Sequence, residues 1–328
     1  MRNRCAEKRI SLTNVLLVTG GAGFIGSEFV RQESKNDFWS KIYVIDALTY
    51  ASDISRIQSE IDFGRVEFIN CRVENASSYE SIIPGLSHIA HFAAETHVDR
   101  SIVDGIPFLK SNIEGTYVIL ELARQRPQIR TLLVSTDEVY GSISSGEATE
   151  ESKIIAASVY SASKASADLL ALANHATHSQ DVLITRCCNN YGPFQTPEKL
   201  IPLAISKLLA GLKVPIYGAG ENIREWIFVS DHTRGLNKVL LNGKSGEIYN
   251  IGTGYRISNL EIVKILLEKL GMDDSFIEYV SDRKGHDYRY AISSQKIRSE
   301  LSWSPEVEIN KGLELTINSH RQPKEGIR

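Results

Sequence analysis

Asn14-Val15-Leu16-Leu17-Val18-Thr19-Gly20-Gly21-Ala22-Gly23-Phe24-Ile25-Gly26 is the stretch that decides the fold of this 328-residue chain. Asn14 to Val18 holds a continuous apolar run, Val15–Val18, the pattern of a strand buried on both faces of a parallel sheet. Gly20 to Gly26 is a glycine-rich turn that opens a helix from about Ser27. Gly21, Gly23 and Gly26 satisfy G-x-G-x-x-G, and Gly20 adds a G-x-x-G-x-x-G reading. The next strand-like run begins at Lys41 and ends in Asp46, 20 residues after Gly26. Strand, glycine turn, helix and strand-end carboxylate together make a dinucleotide-binding fingerprint. The glycines let the backbone approach a pyrophosphate, which sits at the helix N-terminus. Asp46 would accept hydrogen bonds from the adenosine ribose hydroxyls and repel a 2′-phosphate, so NAD is expected rather than NADP.

Working outward, Val66 to Ile69 reads as a third strand, His88 to Ala94 as a fourth, Thr131 to Ser135 as a fifth and Asp181 to Arg186 as a sixth. Asn112 to Arg124 and Tyr160 to Ala173 read as helices. This alternation predicts an α/β fold, a Rossmann-type doubly wound parallel sheet with right-handed crossovers. Beyond Tyr191 the texture changes: Gly192-Pro193, Pro197, Pro202, Pro215, Gly218 and Gly220 punctuate shorter elements, as in a smaller C-terminal lobe over the carboxyl edge of the sheet. Ile227-Phe228-Val229 reads as a strand that returns to the main sheet. The expected division is an NAD-binding domain at 14–191 with a returning segment at about 221–250, and a sugar-nucleotide-binding lobe at 192–220 and 251–320. Residues 1–13 read as a loose polar leader, and the tail from His320 as polar and frayed.

The net charge of −3 carries no long run of one sign, which argues against nucleic-acid or membrane-surface partners. No apolar run approaches the roughly 20 residues needed to span a bilayer. The basic start, Met1-Arg2-Asn3-Arg4, leads only to the short Val15–Val18 run, too brief for a signal-peptide core. Four cysteines, two of them adjacent at Cys187 and Cys188, provide neither a disulfide framework nor metal spacing, and no metal is expected. A reducing, cytoplasmic setting fits that usage best.

Two further motifs carry chemistry. Tyr160 and Lys164 lie one turn apart on one helix face. A phenol with a pKa near 10 is a poor base at neutral pH. A neighbouring ammonium and the positive nicotinamide of NAD would lower that value, and Tyr160 could then remove a hydroxyl proton as hydride leaves the same carbon. Thr136-Asp137-Glu138 falls at the carboxyl end of the fifth strand, where open α/β sheets bind ligands. Adjacent strand residues face opposite ways. Both carboxylates therefore meet one substrate only if the strand has ended, and Gly141 just beyond supports such a bend. Ala93-Ala94 supplies small residues where backbone would run beside a dinucleotide.

The chain resembles the extended short-chain dehydrogenase/reductase family of NAD-dependent epimerases and dehydratases, and within it the dTDP-glucose 4,6-dehydratases. The matching segments run from Thr19 to Ser27, Asp46 to Ala51, Ala93 to Ser101, Ser135 to Gly141, Tyr160 to Ala165, Asn189 to Pro193 and Pro197 to Pro202. They continue through Asn222 to Trp226 and Gly285 to Asp287. Related epimerases and decarboxylases share the glycines and the Tyr/Lys pair but usually lack the Asp of Thr-Asp-Glu.

The resemblance implies a homodimer joined through a four-helix bundle, and an NAD that stays bound through each turnover. It assigns Gly20, Gly23, Phe24, Ile25, Gly26, Asp46, Leu48, Thr49, Ala93, Ala94, Thr96, Tyr160 and Lys164 to the cofactor. Tyr160, helped by Thr136, would deprotonate the sugar's 4-hydroxyl; Glu138 would take the C5 proton; Asp137, kept protonated, would supply the proton that lets the C6 hydroxyl leave. Lys199, Arg224, Arg283 and His286 would meet the diphosphate, Asn189 and Asn259 the sugar or phosphates, and Tyr217 the nucleobase. His97 and Leu200 complete the substrate set. Three positions depart from the family pattern: Arg72 stands where an Asp usually contacts adenine, Lys284 replaces a Pro, and Tyr255 replaces an Asn. The last two lie by the expected nucleotide pocket, so a UDP-sugar or amino-sugar substrate stays open beside dTDP-glucose.

Overall fold

The computed structural model describes residues 14–282 and 285–321. In chain order the strands are β1 (Val15–Thr19), β2 (Lys41–Asp46), β3 (Val66–Asn70), β4 (His88–His91), β5 (Arg130–Thr136), β6 (Val182–Cys187), β7 (Asn189–Tyr191), β8 (Val214–Tyr217), β9 (Ile223–Phe228), β10 (Ile248–Ile251), β11 (Arg256–Ser258) and β12 (Ile277–Val280). Seven form one sheet in the order β10-β6-β5-β4-β1-β2-β3, every pair parallel. The order reverses between β1 and β4, and at such a switch point the crossover helices leave on opposite faces and open a crevice. This is the doubly wound sheet expected from the alternating strands and helices.

The sheet is held by burial on both faces. Leu16, Val18, Val44, Leu132 and Leu183 pack into one apolar cluster, which also takes Phe29 and Val30 of the helix Phe24–Glu33. Leu17, Ile45 and Ile89 point the other way into a second cluster with Ile119 and Leu122 of the helix Gly115–Arg124. Residues one apart thus feed opposite faces, which explains why these strands read as unbroken apolar runs.

The second part of the chain has its own core. Ile201, Ile205 and Leu208 of the helix Leu200–Leu209 pack with Ile262, Val263 and Leu266 of the helix Asn259–Leu270. A three-stranded sheet, β11-β9-β7, and a two-stranded sheet, β12-β8, flank that core.

Several boundaries differ from expectation. The strand that returns to the main sheet is β10, parallel to β6, not the Ile227 region. Ile227 and Phe228 belong to β9, whose hydrogen bonds are taken by β7 and β11, and Val229 already starts the helix Val229–Asn242. β4 stops at His91, so Ala93 and Ala94 continue as extended chain over the sheet edge. The helix expected from Asn112 begins at Gly115, preceded by a wide π turn at Leu109–Glu114. The first helix starts at Phe24 rather than Ser27. The helix expected at Tyr160–Ala173 runs Val159–His178, opened by a Ser158/Ser161 capping box. His320 and Arg321 are helical, the last turn of Ile309–Arg321.

Candidate active site

At the β1 end, Gly20 adopts φ +69°, and a Cβ there would stand 2.7 Å from the Ala93 nitrogen. Only glycine allows the turn to press that closely on the chain leaving β4. The helix Phe24–Glu33 has no acidic residue in its first turn and no side-chain cap, so its terminal N–H groups are directed at an incoming anion. Asp46 is already engaged: its carboxylate accepts from the Ala22 nitrogen at 3.0 Å and from the Leu48 nitrogen at 2.9 Å. It fixes the glycine turn to the end of β2 and keeps lone pairs free for two hydroxyls. This cradle, which a Cβ would fill, fits an adenine dinucleotide.

The reacting end is built on β5, β6 and the helix Val159–His178. β5 ends at Thr136, and a single 3₁₀ turn, Asp137–Tyr140, closes on Gly141 at φ +69°. The expected break in the strand is therefore present, and Asp137 and Glu138 share one wall. Thr136 caps the turn, its hydroxyl accepting from the Glu138 nitrogen at 3.3 Å and donating to Asp137 Oδ1 at 3.3 Å. The same hydroxyl meets the Tyr160 phenol. Lys164 Nζ donates to the Val134 carbonyl at 2.8 Å.

Asp137 is held well above the ordinary carboxylate range, first by burial and then by the charges of Glu138 and Glu225. The Tyr160 phenol is pushed up as well, by burial first and Glu138 second. Of the two influences expected to lower the phenol, the Lys164 ammonium is turned to the Val134 carbonyl and does not offset the burial, which leaves that role to the nicotinamide charge of NAD. His91 lies beneath, between Thr19 Oγ1 at 2.7 Å and Thr116 Oγ1 at 3.1 Å. Burial and the Lys164 charge take its pKa down to about 3, so it is a neutral strut.

One cleft of about 280 Å³ joins both ends. Gly20, Gly23, Phe24, Ile25, Gly26, Asp46, Thr49, Ala93, Ala94 and Thr96 line it with Thr136, Asp137, Glu138, Tyr160, Lys164, Asn189 and Lys199. Leu48 is not on that lining and meets Asp46 through its backbone nitrogen. Lys199 Nζ donates to the Thr96 carbonyl at 3.0 Å. Arg72 lines the same cleft and pairs with Glu74 at 3.1 Å.

The other substrate candidates are not on that lining. His97 caps the Arg100 nitrogen at 3.3 Å. Leu200 packs against the second core. Asn259 opens its helix, with its nitrogen bonded to the Asn222 carbonyl. Tyr217 stacks edge-on with His286 at 6.3 Å, and His286 bonds Asp282 at 2.8 Å. Arg224 donates to the Asp287 carbonyl at 2.9 Å and lies over the Tyr290 ring at 4.4 Å. Tyr255 is half exposed on the loop before β11. Arg283 and Lys284 fall outside the described residues.

Three participants escaped the sequence reading. Asn112 ties the wide π turn to the site, donating to Ser163 Oγ at 2.9 Å and to the Glu95 carbonyl at 3.0 Å. Glu225, fully buried and paired with Arg256 at 2.7 Å, adds to the charge around Asp137. Tyr290 feels the Glu138 charge.

A dinucleotide cradle and a Tyr/Lys pair meeting in one crevice of a doubly wound sheet define a dehydrogenase-type enzyme of the extended short-chain class. A family model described as GDP-mannose 4,6 dehydratase matches residues 17–316. A dTDP-glucose 4,6-dehydratase of Actinoplanes sp. is 47% identical over 93% of this chain and 97% of its own length. The solved structure of DesIV, the dTDP-glucose 4,6-dehydratase of Streptomyces venezuelae with NAD bound, superposes with a TM-score of 0.91 at 46% identity, covering 94% of this chain and 97% of DesIV. A UDP-glucose 4-epimerase of Thermotoga maritima superposes at 0.87 but only 27% identity, covering 94% and 98%. The chain belongs to the nucleotide-sugar 4,6-dehydratase family.

Proposed function

We propose that this enzyme dehydrates dTDP-glucose to its 4-keto-6-deoxy derivative, using NAD held in the Gly20–Gly26 cradle. The observation that supports the reading is Asp137, a buried carboxyl one residue from Glu138 whose surroundings favour its protonated form. NAD bound there takes hydride from C4 and gives it back at C6. Tyr160, whose raised phenol the positive nicotinamide of bound NAD would bring down, removes the 4-hydroxyl proton with help from the Thr136 hydroxyl, while Lys164 holds the nicotinamide ribose. The 4-ketone acidifies the C5 hydrogen, so a carboxylate suffices as base, and Glu138 takes it. Asp137 gives its proton to the C6 hydroxyl, which leaves as water. Glu138 then returns a proton to C5, Tyr160 releases the 4-hydroxyl proton to solvent, and Asp137 recovers one from solvent, which restores the starting state. Two adjacent carboxyl groups, one of them raised by burial, thus supply one acid and one base.

Lys199, Arg224, Arg283 and His286 take the diphosphate in this reading, Asn189 and Asn259 the sugar and phosphates, Tyr217 the base, with His97 and Leu200 framing the sugar. The parallel-sheet unit carries the cofactor and the second core the sugar nucleotide, with the division near Tyr191. A second copy covers the exposed apolar side chains Ile102, Ile106, Leu109, Tyr117, Val159 and Leu169. A cytoplasmic location agrees with three buried free thiols, Cys71, Cys187 and Cys188. Among the described residues no helix is long and apolar enough to cross a membrane.

Presenting dTDP-glucose, UDP-glucose and the corresponding amino sugars separately tests the substrate. A 4-keto-6-deoxy product from dTDP-glucose at the highest kcat/KM is expected. Preference for a UDP-sugar would reassign the substrate, and inversion at C4 without water loss would reassign the reaction.

A further inference from the structure

Beyond the end of β3 the cleft carries a charged pair with no part in the reaction as described. β3 lies beside β2, with Asn70 opposite Asp46. The chain leaving β3 stays against the end of β2, where the Cys71 nitrogen donates to the Asp46 carbonyl at 3.1 Å. A tight turn follows, closed by the Asn75 nitrogen donating to the Arg72 carbonyl at 3.0 Å. Val73 points inward, 5% exposed in the apolar cluster that holds Leu17 and Ile45, and its carbonyl accepts from the buried Tyr79 hydroxyl. Arg72 and Glu74 flank that anchor. Both line the cleft, and Arg72 Nε meets Glu74 Oε1 at 3.1 Å. The turn is thus fixed from below and presents an ion pair to the cleft.

The cradle sets where the cofactor's base lies. Pyrophosphate at Gly20–Gly26 sits beyond β1, and ribose at Asp46 sits beyond β2. The base, on the far side of the ribose, then follows the sheet order β1-β2-β3 to the end of β3. Adenine presents an amino group, a donor, beside ring nitrogens that accept. A carboxylate only accepts, and one ion pair leaves it further lone pairs. A guanidinium only donates, and its plane stacks on aromatic faces. With the Arg72 side chain 54% exposed, the pair adds little to stability as a surface salt bridge. Nearby Thr49 and Ser52 carry hydroxyls, which donate as well as accept and tolerate an amine or a carbonyl alike.

We propose that Glu74, held by Arg72, accepts a hydrogen bond from the exocyclic amine of the cofactor's adenine. The pair thereby selects adenine over a purine with a carbonyl at that position. The inference rests on the cradle reading, with the adenosine ribose at Asp46.

Nicotinamide hypoxanthine dinucleotide tests it, since it carries a carbonyl in place of the amine and otherwise matches NAD. The full-length enzyme is equilibrated with equal concentrations of the two, desalted rapidly and denatured. Chromatography of the released dinucleotides then reads the bound ratio without reference to turnover. The wild-type enzyme should hold NAD over the hypoxanthine form by roughly tenfold or more, the worth of a hydrogen bond to a charged group. The amide of Glu74→Gln turns an acceptor to an amine or a donor to a carbonyl, so its ratio should fall to within about twofold. Arg72→Met unties the carboxylate and should lower the wild-type ratio by about twofold or more. No preference in the wild type, or the wild-type ratio in either variant, overturns the proposal and leaves a solvated ion pair only. Equilibrating the wild type with NAD and NADP separates this contact from the cradle. Asp46 should exclude the 2′-phosphate. If NADP is held as well as NAD, the ribose is not at Asp46, and the cradle reading fails together with the adenine contact. If NADP is excluded while Glu74→Gln keeps the wild-type ratio, only the adenine contact fails.

Discussion

Asp137 is buried beside Glu138, and burial costs a carboxyl most when it is charged. Its folded pKa lies above its unfolded value, so the folded form binds the proton more tightly. The stabilisation this provides is complete at acid pH and is lost as pH rises from the ordinary carboxylate range through the raised value. Asp137→Asn removes the titration. The variant should gain stability over wild type as pH rises from 4 to 8, with the difference vanishing near pH 4, as read by denaturant unfolding at both pH values. Its turnover of dTDP-glucose should fall on the order of 10²-fold or more, while reduced cofactor still forms, because only protonation of the leaving group is lost. Unchanged turnover would remove Asp137 from the acid role.

At this scale the sequence was informative where chemistry is contiguous. Thr136-Asp137-Glu138 and Tyr160-x-x-x-Lys164 each carry their geometry within a single turn. What it did not show was the direction of the Tyr160 pKa, since that depends on Glu138 and on burial rather than on the lysine four residues away. Glu225, Asn112 and Tyr290 reach the site from distant segments; Glu225 lies in the matched Asn222–Trp226 stretch, but nothing there marks it as a neighbour of Asp137, and nothing in the neighbourhoods of Asn112 and Tyr290 marks them.

Among the elements, the glycine turn sets the shape of the cofactor cradle. Gly20→Ala combines a left-handed backbone with a Cβ 2.7 Å from the Ala93 nitrogen. Gly64 has φ +77° and open space around it, so Gly64→Ala meets only the backbone penalty, about 1 kcal/mol. Gly20→Ala should therefore lose NAD affinity and more stability than Gly64→Ala, which should bind NAD as wild type does, both readable by calorimetry. Equal affinity in the two variants would contradict the cradle. β1 and β2 were legible because buried parallel strands read as apolar runs. β10 was not: four residues, Ile248–Ile251, carry too short a pattern, and its place beside β6 is set by the Val229–Asn242 helix that precedes it. β9 was misplaced for the complementary reason, an apolar run whose edge partners, β7 and β11, are three-residue strands.

For the whole molecule, the exposed apolar side chains concentrate on the helical face that includes Ile106 and Leu169, which are 58% and 56% exposed in one copy. Exposed apolar side chains gathered on neighbouring helices suit the pairing proposed above. Ile106→Glu/Leu169→Glu should convert a dimer into a species with the mass of one chain by light scattering, at unchanged helix content. A single-chain mass for the unaltered protein would refute the pairing.

The central claim is that the oxidising and eliminating groups act on one sugar within one cleft. The most direct measurement places deuterium at C4 of dTDP-glucose and locates it in the product. Recovery at C6 of the 4-keto-6-deoxy sugar is predicted; deuterium lost to solvent, or retained at C4, would contradict the account.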